Sequence, residues 1–145
     1  MKYNCVIVDD ERPALKLLTA YIKKLPHLEL VASCEDAFEA IAALQDHHVD
    51  ILFLDIHMPT FTGFDLLQTL KNPPKVILTT SDKNFAIEAF EYDCIVDYLV
   101  KPVSQERFDK AVQKAMLFSQ TNKVESKSKD TEVINELYVN IDRRL

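Results

Sequence analysis

The chain has 145 residues, enough for one domain with a full hydrophobic core and a short appendage. Its 48% apolar and 28% charged residues are ordinary for a globular protein, and a net charge of −6 argues against a nucleic-acid-binding surface within these residues. No apolar run approaches the roughly 20 residues that span a bilayer, and MKYNCVIVDDE enters a strand pattern at once, without the h-region and cleavage site of a signal peptide, so the expected compartment is the cytoplasm.

Tyr3 to Val8 reads as a first buried strand and runs into the acidic cluster Asp9-Asp10-Glu11. Pro13 suits the first turn of a helix, where its missing N–H costs nothing. Leu15, Leu18, Ile22 and Leu25 keep that helix's apolar stripe until Pro26 stops it. Leu28 to Ala32 forms a second strand. Glu35 and Asp36 open a helix whose stripe carries Phe38, Ile41, Ala42 and Leu44, the acids being well placed for the helix dipole. Ile51 to Leu54 is an unbroken apolar run, as expected of a strand covered on both faces, and it delivers a single acid, Asp55.

After Pro59, Gly63 allows a tight loop, and Phe64 to Leu70 reads as a short helix ended by Pro73-Pro74. Val76 to Leu78 is the fourth strand and ends in Thr79-Thr80-Ser81. Asp82 is the expected N-cap of a fourth helix through Phe85, Ala86, Ala89 and Phe90. Ile95 to Val100 is the fifth strand, followed by Lys101-Pro102. Ser104 caps a fifth helix carrying Phe108, Ala111, Val112, Ala115 and Met116 on one face. Cys5, Cys34 and Cys94 are widely spaced and form no CxxC pair or Cys/His cluster, so they read as reduced core thiols rather than zinc ligands. A single glycine excludes the Gly-rich phosphate loops of Walker and Rossmann type.

Strands alternating with helices predict an α/β fold: a doubly wound five-stranded parallel sheet with order 2-1-3-4-5 and helices on both faces. The domain is expected over residues 1–118. Residues 119–131, polar and rich in Lys and Ser, read as a flexible linker. Residues 132–145 contain the alternating ELYVNI and read as the start of a truncated C-terminal output domain or tail.

With that strand order, strands 1 and 3 are neighbours, so Asp9, Asp10 and Asp55 converge at the carboxyl edge where such sheets place their ligands. Crowded carboxylates need a compensating cation, and hard oxygen ligands suit Mg²⁺. A carboxylate beside that cation can act as a nucleophile towards phosphorus, and a lysine and a hydroxyl can balance the charge of the phosphoryl oxygens. Lys101 and the Thr79-Thr80 hydroxyls fall at the ends of the two remaining inner and edge strands.

The motifs VIVDDE, DILFLDIHMP, ILTTSD and DYLVKP, in this order over residues 3 to about 118, resemble the receiver domain of bacterial two-component response regulators. The resemblance implies a flavodoxin-like (βα)5 fold and a switch that takes a phosphoryl group from a sensor histidine kinase, with Mg²⁺ as cofactor. Asp55 then matches the phosphoacceptor, and Asp9 and Asp10 match the metal-site acids, Asp10 binding directly and Asp9 through water. The backbone carbonyl of His57 matches a further metal ligand. Thr80 matches the switch hydroxyl, with Thr79 as the fallback; Tyr98 matches the switch aromatic and Lys101 the phosphate-contacting lysine. Similar proteins carry a cis peptide at the position of Lys101-Pro102.

FAIEAFEYDCIVDYLVKP and ELYVNIDRRL are similar to receivers joined to LytTR-type DNA-binding domains, which implies a transcription regulator. On that reading DNA is contacted only through the missing domain, and a homodimer forms on phosphorylation through the face of helix 4, strand 5 and helix 5. No membrane is involved. The domain is a signalling switch rather than an enzyme, catalysing only its own phosphorylation and dephosphorylation. Two alternatives stay open on the residues alone: a Mg²⁺-dependent phosphatase with an aspartyl nucleophile, and a receiver-like interaction module that is never phosphorylated.

Overall fold

The computed structural model describes residues 2–59, 61–82 and 92–125, with side chains to residue 118. The strands are β1 (Tyr3–Val8), β2 (Leu28–Cys34), β3 (Ile51–Asp55), β4 (Lys75–Thr80) and β5 (Ile95–Val100). All are parallel, in the order β2-β1-β3-β4-β5 anticipated from the sequence. The helices are α1 (Arg12–Lys23), α2 (Ala37–Asp46), α3 (Gly63–Thr69) and a last helix, Gln105–Glu125. No helix among the described residues is long and apolar enough to cross a membrane.

Every side chain of β3 is buried, because this central strand is covered on both faces. Ile51 and Phe53 join Cys5, Ile7, Ile77 and Leu99 in a core closed by α1 and the last helix. Leu52 and Leu54 join Val6, Val8, Val76 and Leu78 in a second core closed by α2 and α3. The alternation of strand side chains therefore feeds two cores from one apolar run. Cys5 and Cys34 are buried and Cys94 half-buried, all three as free thiols; burial pushes the Cys5 thiol up to about 12 and that of Cys34 up to about 11.

Among the described residues, side chains cap three helix starts, of which the sequence marks Ser104 as a cap. Asp36 Oδ1 accepts from the backbone N–H of Glu39 at 2.8 Å, and Ser104 Oγ accepts from that of Arg107 at 3.1 Å. Thr62 and Asp65 form a reciprocal capping box at α3. The Lys101-Pro102 bond is cis, as expected.

Expectations for two residues, Phe38 and Gly63, need correction. Phe38 does not face the core: it is 73% exposed and stacks on Phe61 with centroids 6.3 Å apart, while Ala37, Ala40 and Ala43 form the buried face of α2. The small residues win because α2 packs closely on the sheet. The last helix continues through Glu125; polarity alone does not stop a helix that lacks Gly and Pro. Residues 126–145, with the remaining linker and ELYVNI, lie outside the described residues, as does the helix expected after Asp82.

Gly63 serves a different purpose from the expected loop freedom, since its φ is not positive. A Cβ added there would lie 2.5 Å from the carbonyl oxygen of Asp55 and 3.1 Å from Ile56 Cα. The Gly63 N–H also donates to the Ile56 carbonyl at 3.1 Å, so α3 starts hard against the end of β3. Gly63→Ala is expected to cost about 1–3 kcal/mol by overpacking backbone against backbone. A lowered urea midpoint at unchanged slope measures this.

Candidate functional site

The site is built at the carboxyl edge of β1, β3, β4 and β5. Val8 pairs with Leu54, so the next residues, Asp9 and Asp55, stand side by side beyond the ladder. Asp9 is fully buried, held by its N–H donating to the Cys34 carbonyl at 3.0 Å and by Oδ1 accepting from the Glu11 N–H at 2.9 Å. Asp55 is 2% exposed, and its Oδ1 accepts from the backbone N–H of His57 at 3.1 Å. Asp10 is exposed, yet oxygens of Asp9, Asp10 and Asp55 all lie within 4.8 Å of one another.

Lys101 reaches this cluster from the end of β5. Its Nζ lies 2.8 Å from Asp9 Oδ2, 3.2 Å from Glu11 Oε1 and 3.6 Å from Asp55 Oδ2. Burial works against its charge, but contacts with Asp9, Asp55 and Glu11 outweigh it and hold the ammonium above the usual lysine range. Asp55 is pushed from 3.8 up to about 7, first by burial and then by the Asp9 charge, with Lys101 and the His57 N–H pulling the other way.

The cluster combines four carboxylates, Asp9, Asp10, Glu11 and Asp55, with one ammonium. Asp9 Oδ2 is buried and, despite its ion contact with Lys101, lacks a well-directed hydrogen bond. Excess negative charge, all-oxygen donors and an exposed Asp10 through which water can enter fit a hard divalent cation such as Mg²⁺.

Thr79 is the partner of Asp55 in the β3–β4 register and is buried. Thr80, one residue on, is fully buried, and its hydroxyl is engaged with the turn that follows: Oγ1 accepts from the Asp82 N–H at 3.0 Å and donates to the Asp82 carbonyl at 3.1 Å. The Thr80 carbonyl accepts from the Lys101 N–H at 2.8 Å, which ties the hydroxyl-bearing strand to the lysine-bearing one. Tyr98 pairs with Leu78 on β4 and packs half-buried against the α2/α3-side core. His57 is exposed. The structure thus gathers Asp9, Asp10, Asp55 and Lys101 directly, with Thr80 and Tyr98 on the adjoining strands.

Sequence reasoning left two features without a role. One is Glu11, part of the acidic run but not recognised as a partner of Lys101. The other is Asp97, whose carboxylate is almost fully buried and accepts two hydrogen bonds of 2.8 Å from the Arg107 guanidinium. Burial works against the Asp97 carboxylate, but these bonds outweigh it and hold it below the usual range. Arg107 also donates to the Tyr98 carbonyl at 3.0 Å and lines an open pocket of about 340 Å³ with Tyr98, Val100, Pro102 and Ser104. An acid on a strand and an arginine ten residues later on a helix carry no local signature.

The response regulator receiver domain family matches residues 5–113. An uncharacterized response regulatory protein of Yersinia pestis is 40% identical over 110 residues, 74% of this chain and 45% of that protein. The transcriptional regulatory protein LytR of Staphylococcus aureus is 30% identical over 145 residues, 98% of this chain and 57% of its own length. This chain therefore spans about half the length of these curated relatives. Among solved structures, the response regulatory domain of protein mrkE from Klebsiella pneumoniae superimposes with a TM-score of 0.72 at 31% identity, covering 81% of this chain and 98% of that one. With the sheet order, the acid cluster and these likenesses together, the chain belongs to the response regulator receiver domains.

Proposed function

We propose that this signalling domain accepts a phosphoryl group on Asp55 from a sensor histidine kinase. The observation that carries the reading is a buried Asp55 at the carboxyl edge of the sheet, beside Asp9 and 3.6 Å from the Lys101 ammonium. An Asp55 carboxylate oxygen forms a bond to phosphorus as the donor's P–N bond breaks, and the imidazole leaves with the electron pair and takes up a proton. Asp10 directly, Asp9 through water, Asp55 and the His57 carbonyl would hold Mg²⁺, which when bound neutralises charge on the phosphoryl oxygens. Lys101 contacts one of those oxygens, and the domain catalyses nothing beyond its own phosphorylation and dephosphorylation.

The new anionic oxygens draw the Thr80 hydroxyl away from Asp82, and Tyr98 turns into the space it leaves. The face of β5, the last helix and the helix expected after Asp82 changes shape and pairs with a second copy. A relative named as a transcriptional regulatory protein supports transcription control as the output, exerted from the cytoplasm through a LytTR-type DNA-binding domain beyond residue 131.

Intact-mass spectrometry after treatment with Mg²⁺ and acetyl phosphate tests the central step. The wild type is expected to gain one phosphoryl group and Asp55→Asn none. An adduct that persists in Asp55→Asn, or sustained release of phosphate from small phosphomonoesters, would overturn the reading.

A further inference from the structure

Glu11 occupies the N-cap position of α1, with φ −103° and ψ 119°, yet its side chain caps nothing. An N-cap side chain ordinarily accepts from a backbone N–H of the first turn. This one is directed across the site instead, to a residue ninety positions away: Lys101 Nζ donates to Glu11 Oε1 at 3.2 Å. The contact to Asp9 is shorter, at 2.8 Å, but does not have the direction of a hydrogen bond. The ammonium is therefore held by Asp9 and Glu11, and Asp55 Oδ2 lies farther off at 3.6 Å.

These partners differ in their freedom to let go. Asp9 is fully buried and fixed through its other oxygen and its backbone N–H. The Glu11 side chain is 65% exposed, so water can replace Lys101 at its carboxylate. For Lys101 to approach phosphoryl oxygens on Asp55, the contact to Glu11 is the one that can yield.

We propose that Glu11 is a positioning residue, a tether that holds the Lys101 ammonium at the mouth of the site and competes for it with the phosphoryl oxygens. The role rests on Asp55 being the phosphoacceptor. The competition slows the step in which the Asp55 oxygen bonds to phosphorus while the donor's bond to its leaving group breaks, because Lys101 must first exchange partners. It also explains why an acid stands at an N-cap that it does not cap.

The test compares wild type, Glu11→Gln and Glu11→Asp by the initial rate of adduct formation with Mg²⁺ and acetyl phosphate. Glu11→Gln is expected to react about two- to fivefold faster, the range that a half-exposed ion pair can supply. Glu11→Asp keeps the charge but shortens the reach, so it is expected to be as fast as Glu11→Gln. Without any donor, the ¹⁵N resonance of the Lys101 ammonium is expected to move in both variants. A Glu11→Asp rate equal to wild type would assign the effect to charge alone and overturn the tether. One common rate on all three proteins, with the Lys101 resonance unmoved, would overturn it as well, while leaving the Asp55 reading intact. No adduct on the wild type would overturn the Asp55 reading and this role together.

Discussion

Asp55→Asn is expected to be more stable than the wild type at pH 8, by on the order of 2–4 kcal/mol, while losing the capacity for phosphorylation. The reason is the raised pKa of Asp55, about 7, caused by burial and by the adjacent Asp9 charge. A carboxyl group whose folded pKa lies above its unfolded one binds more protons in the folded state. Its contribution is fully present below the unfolded value near 3.8 and is lost as pH rises through about 7. Wild-type stability should therefore fall between pH 4 and pH 8 in the presence of a chelator.

Two other shifted groups do not mask this window. Asp97 has a lowered pKa, so its contribution is present above the usual carboxylate range and lost only as pH falls below it. Lys101 has a raised pKa, so its contribution is lost only in strongly alkaline solution. Asp55→Asn removes the slope, because the amide mimics the protonated acid at every pH. Mg²⁺ should restore wild-type stability more at pH 8 than at pH 5, since on the proposed reading it would bind the ionised site in competition with protons. Urea midpoints at the two pH values, with chelator and with Mg²⁺, read all four numbers. Equal wild-type midpoints in chelator would refute the electrostatic account of the site.

Phe108→Ala should lower stability by about 3–5 kcal/mol, a large part of the total for a domain of this size. Phe108 is fully buried, its ring 5.1 Å from that of Phe53 and 5.3 Å from that of Tyr21. It joins the last helix to α1 and to β3, two residues before Asp55. The Tyr21 hydroxyl donates to the Val103 carbonyl at 2.7 Å, so the same cluster holds the loop that follows Lys101. Truncation leaves a cavity bounded by three elements that cannot collapse independently. Phe38→Ala provides the control. Its ring is 73% exposed and, among the described residues, stacks on Phe61 alone, so the cost should stay under about 1 kcal/mol. Similar losses at both positions, by urea unfolding, would contradict the assignment of the two cores.

The contrast between these two phenylalanines shows what the chain reveals without its fold. Both lie in helical stretches rich in apolar residues, and both read as core from the sequence. Only the packing of α2 decides that alanines, not Phe38, meet the sheet. Sequence periodicity is a local property, and it sets which residues share a face but not which of two apolar faces is covered. It sufficed for the strands, the cap at Ser104, and the placing of Asp9, Asp10, Asp55, Thr80 and Lys101 at strand ends; the strand order came from the fold class and its resemblance. The strands and the residues at their ends follow from apolar runs and what terminates them.

Tertiary structure alone decided the rest. Adjacent acids look equivalent in the chain, yet Asp9 is buried and Asp10 exposed, because the β1–β2 ladder continues through the Asp9 N–H and carries that side chain inward. Gly63 proves necessary because the Asp55 carbonyl stands where its Cβ would be. The pairs Lys101–Glu11 and Asp97–Arg107 link separate elements, so no spacing announces them. The acids could be read from one strand at a time; which of them carries a proton, a cation or a tethered lysine depends on burial and on charges brought close by the sheet.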